Sequence, residues 1–210
     1  MDTSTSHRSS SKSDFEVKVL YSGYAKATEE GMLANCSCSL ITGSTNIIVD
    51  TMTPWDKEKI IEGLAHHNLK CEDIKFVVCT HGHSDHIGNN NLFLQATHIV
   101  GFCVSHKDTY YSHAFEEGEK YVINEFIEVV PTPGHTLSDV SVIVKTKNDD
   151  VIALTGDLFE NELDLNDESI WLEAGSENST LQRENREKIL KIADYIVPGH
   201  GNMFKVPRKS

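Results

Sequence analysis

Apolar and polar positions in this 210-residue chain fall into many short runs, and few of them are long enough to form helices. Phe15 to Leu20 alternates apolar and polar residues and predicts a half-buried strand. Cys36–Ile41 and Asn46–Asp50 predict a hairpin around the turn-rich Thr42-Gly43-Ser44-Thr45. A helix should open at Thr53, with Thr53 as cap, Pro54 in the first helical position and Asp56 at the positive end of the dipole. Ile60, Ile61, Leu64 and Ala65 give that helix one apolar face, and His66 and His67 sit near its C-terminus. Ile74–Thr80 is an apolar, β-branched run that reads as a buried strand. A short helix from about Ile87 and a strand at His98–Phe102 should follow. Ser105 to Glu119, with His106, Tyr110, Tyr111 and His113, reads equally as a pocket wall or a surface excursion. Strands return at Lys120–Val122 and Phe126–Val130, and Asp139–Thr146 should pair with Val151–Thr155 across residues 147–150. Ser179-Thr180-Leu181-Gln182 resembles a capping box opening a last helix through Asp194, before a strand at Tyr195–Pro198.

Strands outnumber helices in this order, which fits two sheets flanked by helices in a single domain. The chain carries no repeat and no evident interdomain linker. Residues 1–14 are Ser/Thr-rich, lack the apolar core of a secretory signal and read as a disordered tail, so the domain is placed at residues 15–206 with a short basic tail at 207–210. No run approaches the roughly 20 apolar residues a bilayer crossing needs, so no membrane partner is expected. The five cysteines are odd in number and lack zinc-finger or redox spacing, which points to reduced thiols and to the cytoplasm and nucleus. A formal net charge of -13 argues against a generic nucleic-acid binder. It does not exclude a nuclease, because two bound divalent cations would reverse the local charge where a phosphate sits.

The chemistry concentrates after the Ile74–Thr80 run. His81-Gly82-His83-Ser84-Asp85-His86 places three imidazoles and a carboxylate in six residues, donors that suit zinc and other borderline transition metals. Three more strand-like runs end the same way: Phe126–Pro131 leads into Gly134-His135, Val151–Thr155 into Gly156-Asp157, and Tyr195–Pro198 into Gly199-His200. Each run stops, a glycine loosens the backbone, and one metal-capable side chain follows. Ligand-bearing loops at one end of a sheet are where a rigid scaffold displays chemistry. The acidic stretch Glu160–Glu168 reads as a solvated loop, with Trp171 and Leu172 packing over the site, against a partner, or simply as its anchor.

His81-x-His83-x-Asp85-His86 with His135, Asp157 and His200 resembles the complete ligand set of the metallo-β-lactamase superfamily, in its dinuclear, glyoxalase II-like hydrolase branch. The resemblance runs from about Phe15 to about Val206 and implies a four-layer αββα sandwich. It implies that His81, His83 and His135 hold one metal, that Asp85, His86 and His200 hold a second, and that Asp157 bridges. Asp85 and Asp157 would be the catalytic carboxylates. Asp50 matches the family's early strand-end aspartate, which orients a ligand, although a plain turn residue is the other reading. The stretches Thr80–Asn89, Asp139–Val142, Gly156–Glu160 and Val197–Gly201 are most similar to the small group called metallo-β-lactamase domain-containing protein type one. That group implies an endoribonuclease cutting histone pre-mRNA at its 3′ end, with two zinc ions and an RNA substrate; because the chain is acidic and lacks a clamp domain, a partner or a homodimer groove is one expected means of binding it. Iron is the other metal to weigh. Two alternatives stand beside it: a thioesterase or lactonase of the glyoxalase II type, and a persulfide dioxygenase using one iron. A true β-lactamase is disfavoured by Asp157 in place of a thiolate and by His86. The region between His135 and His200 holds no RNA-clamping insert, and with ten residues after His200 no helical substrate domain is expected. His113 is the candidate for the acid that protonates the leaving group.

Overall fold

The computed structural model describes residues 12–208. Most of the expected tail, residues 1–11, and the last two residues of the expected basic tail lie outside the described residues. Ser13 is buried, and its hydroxyl donates to the carbonyl of Lys145, 2.6 Å away.

Among the described residues, fifteen strands and three α-helices follow in order: β1 Glu16–Tyr21, β2 Tyr24–Thr28, β3 Gly31–Asn35, β4 Cys38–Thr42, β5 Asn46–Val49, α1 Lys57–Ala65, β6 Ile74–Cys79, β7 Thr97–Val100, β8 Cys103–His106, β9 Thr109–Tyr111, β10 Tyr121–Asn124, β11 Ile127–Pro131, β12 Val140–Lys145, β13 Val151–Gly156, α2 Ser169–Glu173, α3 Ser179–Ile192, β14 Tyr195–Pro198 and β15 Phe204–Lys205. One sheet runs β1-β4-β5-β6-β7-β8-β9 and the other β10-β11-β12-β13-β14-β15, while β2 and β3 form a separate hairpin. The β5-β6, β6-β7 and β13-β14 pairs are parallel, so β5, β6, β13 and β14 can send their C-terminal loops to a shared edge.

Alternation along the strands builds the layers. Ile41, Ile47, Val49, Val78 and Ile99 of the first sheet meet Ile127, Val129, Val142, Val144, Leu154 and Val197 of the second in one apolar layer. On the outer side of the first sheet, Leu40, Ile48, Ile74 and Val77 pack against Ile60 and Leu64 of α1. Ala153 and Ile196, facing outward from the second sheet, pack against Ile189 and Ala193 at the end of α3. The result is the four-layer αββα sandwich. Each fully buried Ile or Leu contributes roughly 1.5–3 kcal/mol of apolar burial. No helix among the described residues is long and apolar enough to cross a membrane.

Several elements depart from the sequence reading. Thr53 stands at the N-cap position with Pro54 first in the helix, as expected, but residues 54–56 are a 3₁₀ turn leading into α1 and the Thr53 hydroxyl bonds the Asp56 carboxylate instead of a backbone N–H. The helix expected from Ile87 is a set of turns with a 3₁₀ segment at Asn90–Leu92, because Asn89 spends its amide on the Thr51 and Thr53 carbonyls. The cap of α3 is Asn178, which accepts from Leu181 N, and Ser179 is already helical, so the capping-box reading was one residue late. The excursion after Ser105 opens as the β8-β9 hairpin, an extension of the first sheet, and its Phe115, Glu116 and Gly118 line a pocket, one of its two expected readings. The Glu160–Glu168 segment is not simply solvated: Asp164 is buried in a two-pronged ion pair with Arg186, whose guanidinium lies over Phe159 and Trp171. Trp171 itself is fully buried within the chain.

Candidate metal centre

Each of the four strand ends is fixed by backbone bonds before its ligand emerges. Thr80 O accepts from Val140 N, tying the end of β6 to the second sheet, and His86 N closes a turn on His83 O at 3.0 Å. The His135 turn is held by Gly134 N bonding Thr136 O and by the Asp139 carboxylate, which accepts from both Thr136 N and its hydroxyl. Gly156 adopts φ +50, a left-handed conformation that glycine takes at little cost, and this turns Asp157 inward. Gly199 passes so close that a Cβ there would stand 1.9 Å from Asp157 Oδ1, so only glycine fits.

The seven side chains converge as two groups joined by one carboxylate. In the first, His83 Nδ1 stands 2.8 Å from His81 Nε2 and 3.1 Å from His135 Nε2. Asp157 Oδ2 lies 3.6 Å from His81 Nε2 and 3.3 Å from His135 Nε2. In the second, Asp85 Oδ2 is 3.8 Å from both His86 Nε2 and His200 Nε2. Asp157 Oδ1 lies 3.2 Å from His86 Nε2 and 3.3 Å from His200 Nε2. Asp157 therefore lies between the two groups, with Oδ2 toward His81 and His135, Oδ1 toward His86, and His200 Nε2 3.3 Å from both oxygens.

The His–Asp separations, 3.2 to 3.8 Å, are longer than most hydrogen bonds. Ligand nitrogens at about 2.0–2.1 Å around a tetrahedral zinc are separated by about 3.3 Å, close to the separations here. Asp85 Oδ2, His86 Nε2 and Asp157 Oδ1 are buried without a hydrogen bond of acceptable geometry, although near one another. Buried polar atoms without partners cost about 1–3 kcal/mol each, and a divalent cation would satisfy all three. The residues present thus fit a pair of metal ions.

The outer nitrogens of the rings are occupied, which aims the inner ones. His86 Nδ1 donates to Asp50 Oδ2 at 3.0 Å, His135 Nδ1 to Gly175 O at 2.6 Å, and His200 Nδ1 to Asn35 O at 3.0 Å. Such bonds fix the tautomer and leave Nε2 free for a metal. Asp50, itself at φ +57, also accepts from Thr80 N at 2.7 Å and from the Thr80 hydroxyl. It is a buried hub under the motif rather than a plain turn residue. Thr80 Oγ1 lies 3.2 Å from the Nδ1 atoms of both His81 and His86.

The two groups differ electrostatically in the metal-free chain. Burial holds the His81 imidazole well below its usual pKa and lowers that of His135. At His86 burial works the same way, but the Asp157 and Asp50 carboxylates outweigh it and hold the ring well above. His200 is likewise opposed by burial and pushed up to about 9 by Asp157. Glu160, buried within the field of Asp157, is raised to about 8 by burial first and that carboxylate second.

Some residues join neither group. His113 bonds the Glu119 carbonyl and packs edge-on against Phe115 and Tyr121. His106 bonds Ala96 O and His98 bonds Phe93 O. Cys36 lies beside Asp50 and His86, but burial pushes its thiol well up, so it stays a neutral neighbour. Asn35, Thr80, Gly175 and Gln182 escaped the sequence reading; Gln182 is fully buried and donates to the Asp157 carbonyl. Only Thr80, adjacent to the motif, carried any sequence signal.

Comparison with known proteins accords with this geometry. Residues 32–200 match the family described as the metallo-beta-lactamase superfamily. The chain is similar to metallo-beta-lactamase domain-containing protein 1 of Xenopus laevis, 40% identical over 92% of this chain and 83% of that protein. The protein of the same name from Mus musculus is 41% identical over 78% of this chain, a match spanning 62% of the mouse protein. Among solved structures, an N-acyl homoserine lactone hydrolase with its product at the catalytic metal center superposes with a TM-score of 0.65 at 18% identity, covering 90% of this chain and 94% of that one.

Proposed function

The chain belongs to the metallo-β-lactamase superfamily, and from that premise we propose that it is a dinuclear metal-dependent hydrolase acting on RNA, with the 3′ end of histone pre-mRNA as its target. The observation that carries the dinuclear reading is Asp157, whose carboxylate lies between two sets of ligands, within 3.6 Å of His81 and His135 on one side and 3.3 Å of His86 and His200 on the other. In this reading His81, His83 and His135 hold one zinc and Asp85, His86 and His200 the other. Divalent ions so paired supply a nucleophile from water near neutral pH and stabilise negative charge developing on the substrate.

The chain's own residues do the rest. Hydrolysis joins a water oxygen to phosphorus or to a carbonyl carbon and releases an alcohol that takes up a proton. Asp157 would offset the repulsion between two such cations. Asp50 locks His86 in one tautomer, and the Asn35 carbonyl does the same for His200. The RNA assignment is supported by the resemblance of the motif stretches, and the two cations offset the chain's acidity where a phosphate would dock. The test is cleavage of a single-stranded histone pre-mRNA 3′ fragment by zinc-loaded protein. Cutting that a chelator stops is the expected result.

A lactone or thioester hydrolase is the second reading. It is favoured by an apolar pocket of about 600 Å³ that includes Phe102, Phe115, Pro133, Leu137 and Leu181, two of which flank the His135 turn. The structural likeness to a lactone hydrolase points the same way. Robust lactone or thioester turnover without RNA cleavage, at matched metal loading, would select it.

A further inference from the structure

Trp55 is the most exposed large apolar side chain among the described residues, at 89% of its full accessibility. Leaving an indole in water forgoes roughly 1.5–3 kcal/mol of burial, and its position is not random. It lies on the segment that leaves β5 after Asp50, and that segment is bonded to the metal centre along its length. Thr51 N donates to His86 O, and Met52 O accepts from Gly88 N. Thr53 N donates to Asn35 Oδ1, and Asn35 Nδ2 donates to Asp56 Oδ2 at 2.7 Å. The residues on both sides of Trp55 are therefore clamped to Asn35, whose carbonyl fixes His200. Tyr24, at the base of the β2-β3 hairpin, is half exposed and has a carbonyl 3.2 Å from His200 Nδ1. A loop bonded to residues of the metal centre thus holds a flat aromatic face in solvent.

We propose that Trp55 is a stacking platform for a nucleobase of a single-stranded RNA whose scissile phosphate lies at the metal centre. The proposal rests on the RNA reading and supplies what the acidic chain otherwise lacks: attraction for the substrate that does not depend on basic residues. Every base offers a π-face, so such a platform holds a strand without reading its sequence. It also makes binding only weakly dependent on salt, because stacking releases few counterions.

The chain has two tryptophans, and Trp171 is fully buried, so intrinsic fluorescence isolates Trp55. Zinc-loaded protein should be titrated with a single-stranded phosphorothioate oligoribonucleotide and with its abasic counterpart. Quenching is expected with the first, not with the second, and not in Trp55→Phe for either, since Trp171 alone then emits. In cleavage assays Trp55→Ala should raise KM about 10- to 100-fold with little change in kcat or zinc content. Trp55→Phe should recover most of that loss. Oligonucleotide binding with unchanged emission, together with a normal KM in Trp55→Ala, would overturn the platform and leave the RNA reading standing. Base-dependent quenching without cleavage would keep the platform and reject the nuclease. No binding of either strand would reject both. Emission that changes with protein concentration alone would instead assign Trp55 to contact between copies of the chain.

Discussion

Substituting Gly199 by alanine tests the bridging geometry without removing any ligand. The added Cβ would sit 1.9 Å from Asp157 Oδ1, well inside any real contact. The backbone cannot retreat, because Gly199 N donates to Gly156 O and Phe159 O, and Gly199 O accepts from Ser37 N at 2.7 Å. That same carbonyl is pressed by Gly23, where a Cβ would lie 2.1 Å away. Asp157 must therefore move by about 1 Å or more, and a displacement of that size at a reacting centre costs about 100-fold in turnover. The overpacking itself should cost only about 1–3 kcal/mol, so the variant should fold. Metal content, thermal unfolding and turnover of a chromogenic phosphodiester provide the readouts. Gly199→Ala should melt cooperatively, lose at least one metal and lose about 100-fold in kcat. Gly82→Ala is the control, because a Cβ there meets nothing within 4 Å although the residue sits inside the motif; its metal content should be normal. Two metals and near-normal turnover in Gly199→Ala would refute the bridge.

Three further outcomes follow from the same geometry. Asp50→Ala should weaken binding of the second metal about 10- to 100-fold by freeing the His86 ring, as read by chelator competition, and unchanged affinity would show that Asp50 does not orient it. Metal binding should also differ between the groups with pH. His81 and His135, lowered by burial, are neutral at pH 7, whereas His86 and His200 carry protons until the pH rises, for His200 through about 9. Affinity of the second group should therefore fall about tenfold per pH unit and per proton below that value while the first changes little, and equal slopes would contradict this. In metal-free protein the sign is opposite, since the stabilisation from a raised His200 is complete below about pH 6.5 and is lost as the pH climbs through about 9. Finally, Arg186→Ala strands the buried Asp164 and should cost about 3–5 kcal/mol in denaturant unfolding; a loss below about 1 kcal/mol would show the pair to be dispensable.

Much of the fold was legible because its strands carry their own signals. The β-branched runs ending in Gly-His or Gly-Asp announce both a buried strand and the loop beyond it, and the hydrophobic periods of β4, β5, β12 and β13 match their registers. The β2-β3 hairpin escaped notice because Tyr24–Thr28 is exposed at every position, so no alternation marks it. Gln182 looked like part of a cap, yet Gly134 packs against it and its amide reaches the Asp157 carbonyl. Asn35 and Gly175 act through backbone carbonyls, which any residue type supplies, so nothing in their identity could have marked them. Asp164 read as a loop charge because its partner Arg186 is 22 residues away, on a helix whose facing only packing decides.

The most direct measurement is anomalous diffraction from crystals of the zinc-loaded protein. Two peaks are predicted about 3.5–4 Å apart, one among His81, His83 and His135 and the other among Asp85, His86 and His200, with the Asp157 carboxylate between them. A single peak with Asp157 bound through one oxygen only, or metal at neither group, would contradict the paired centre.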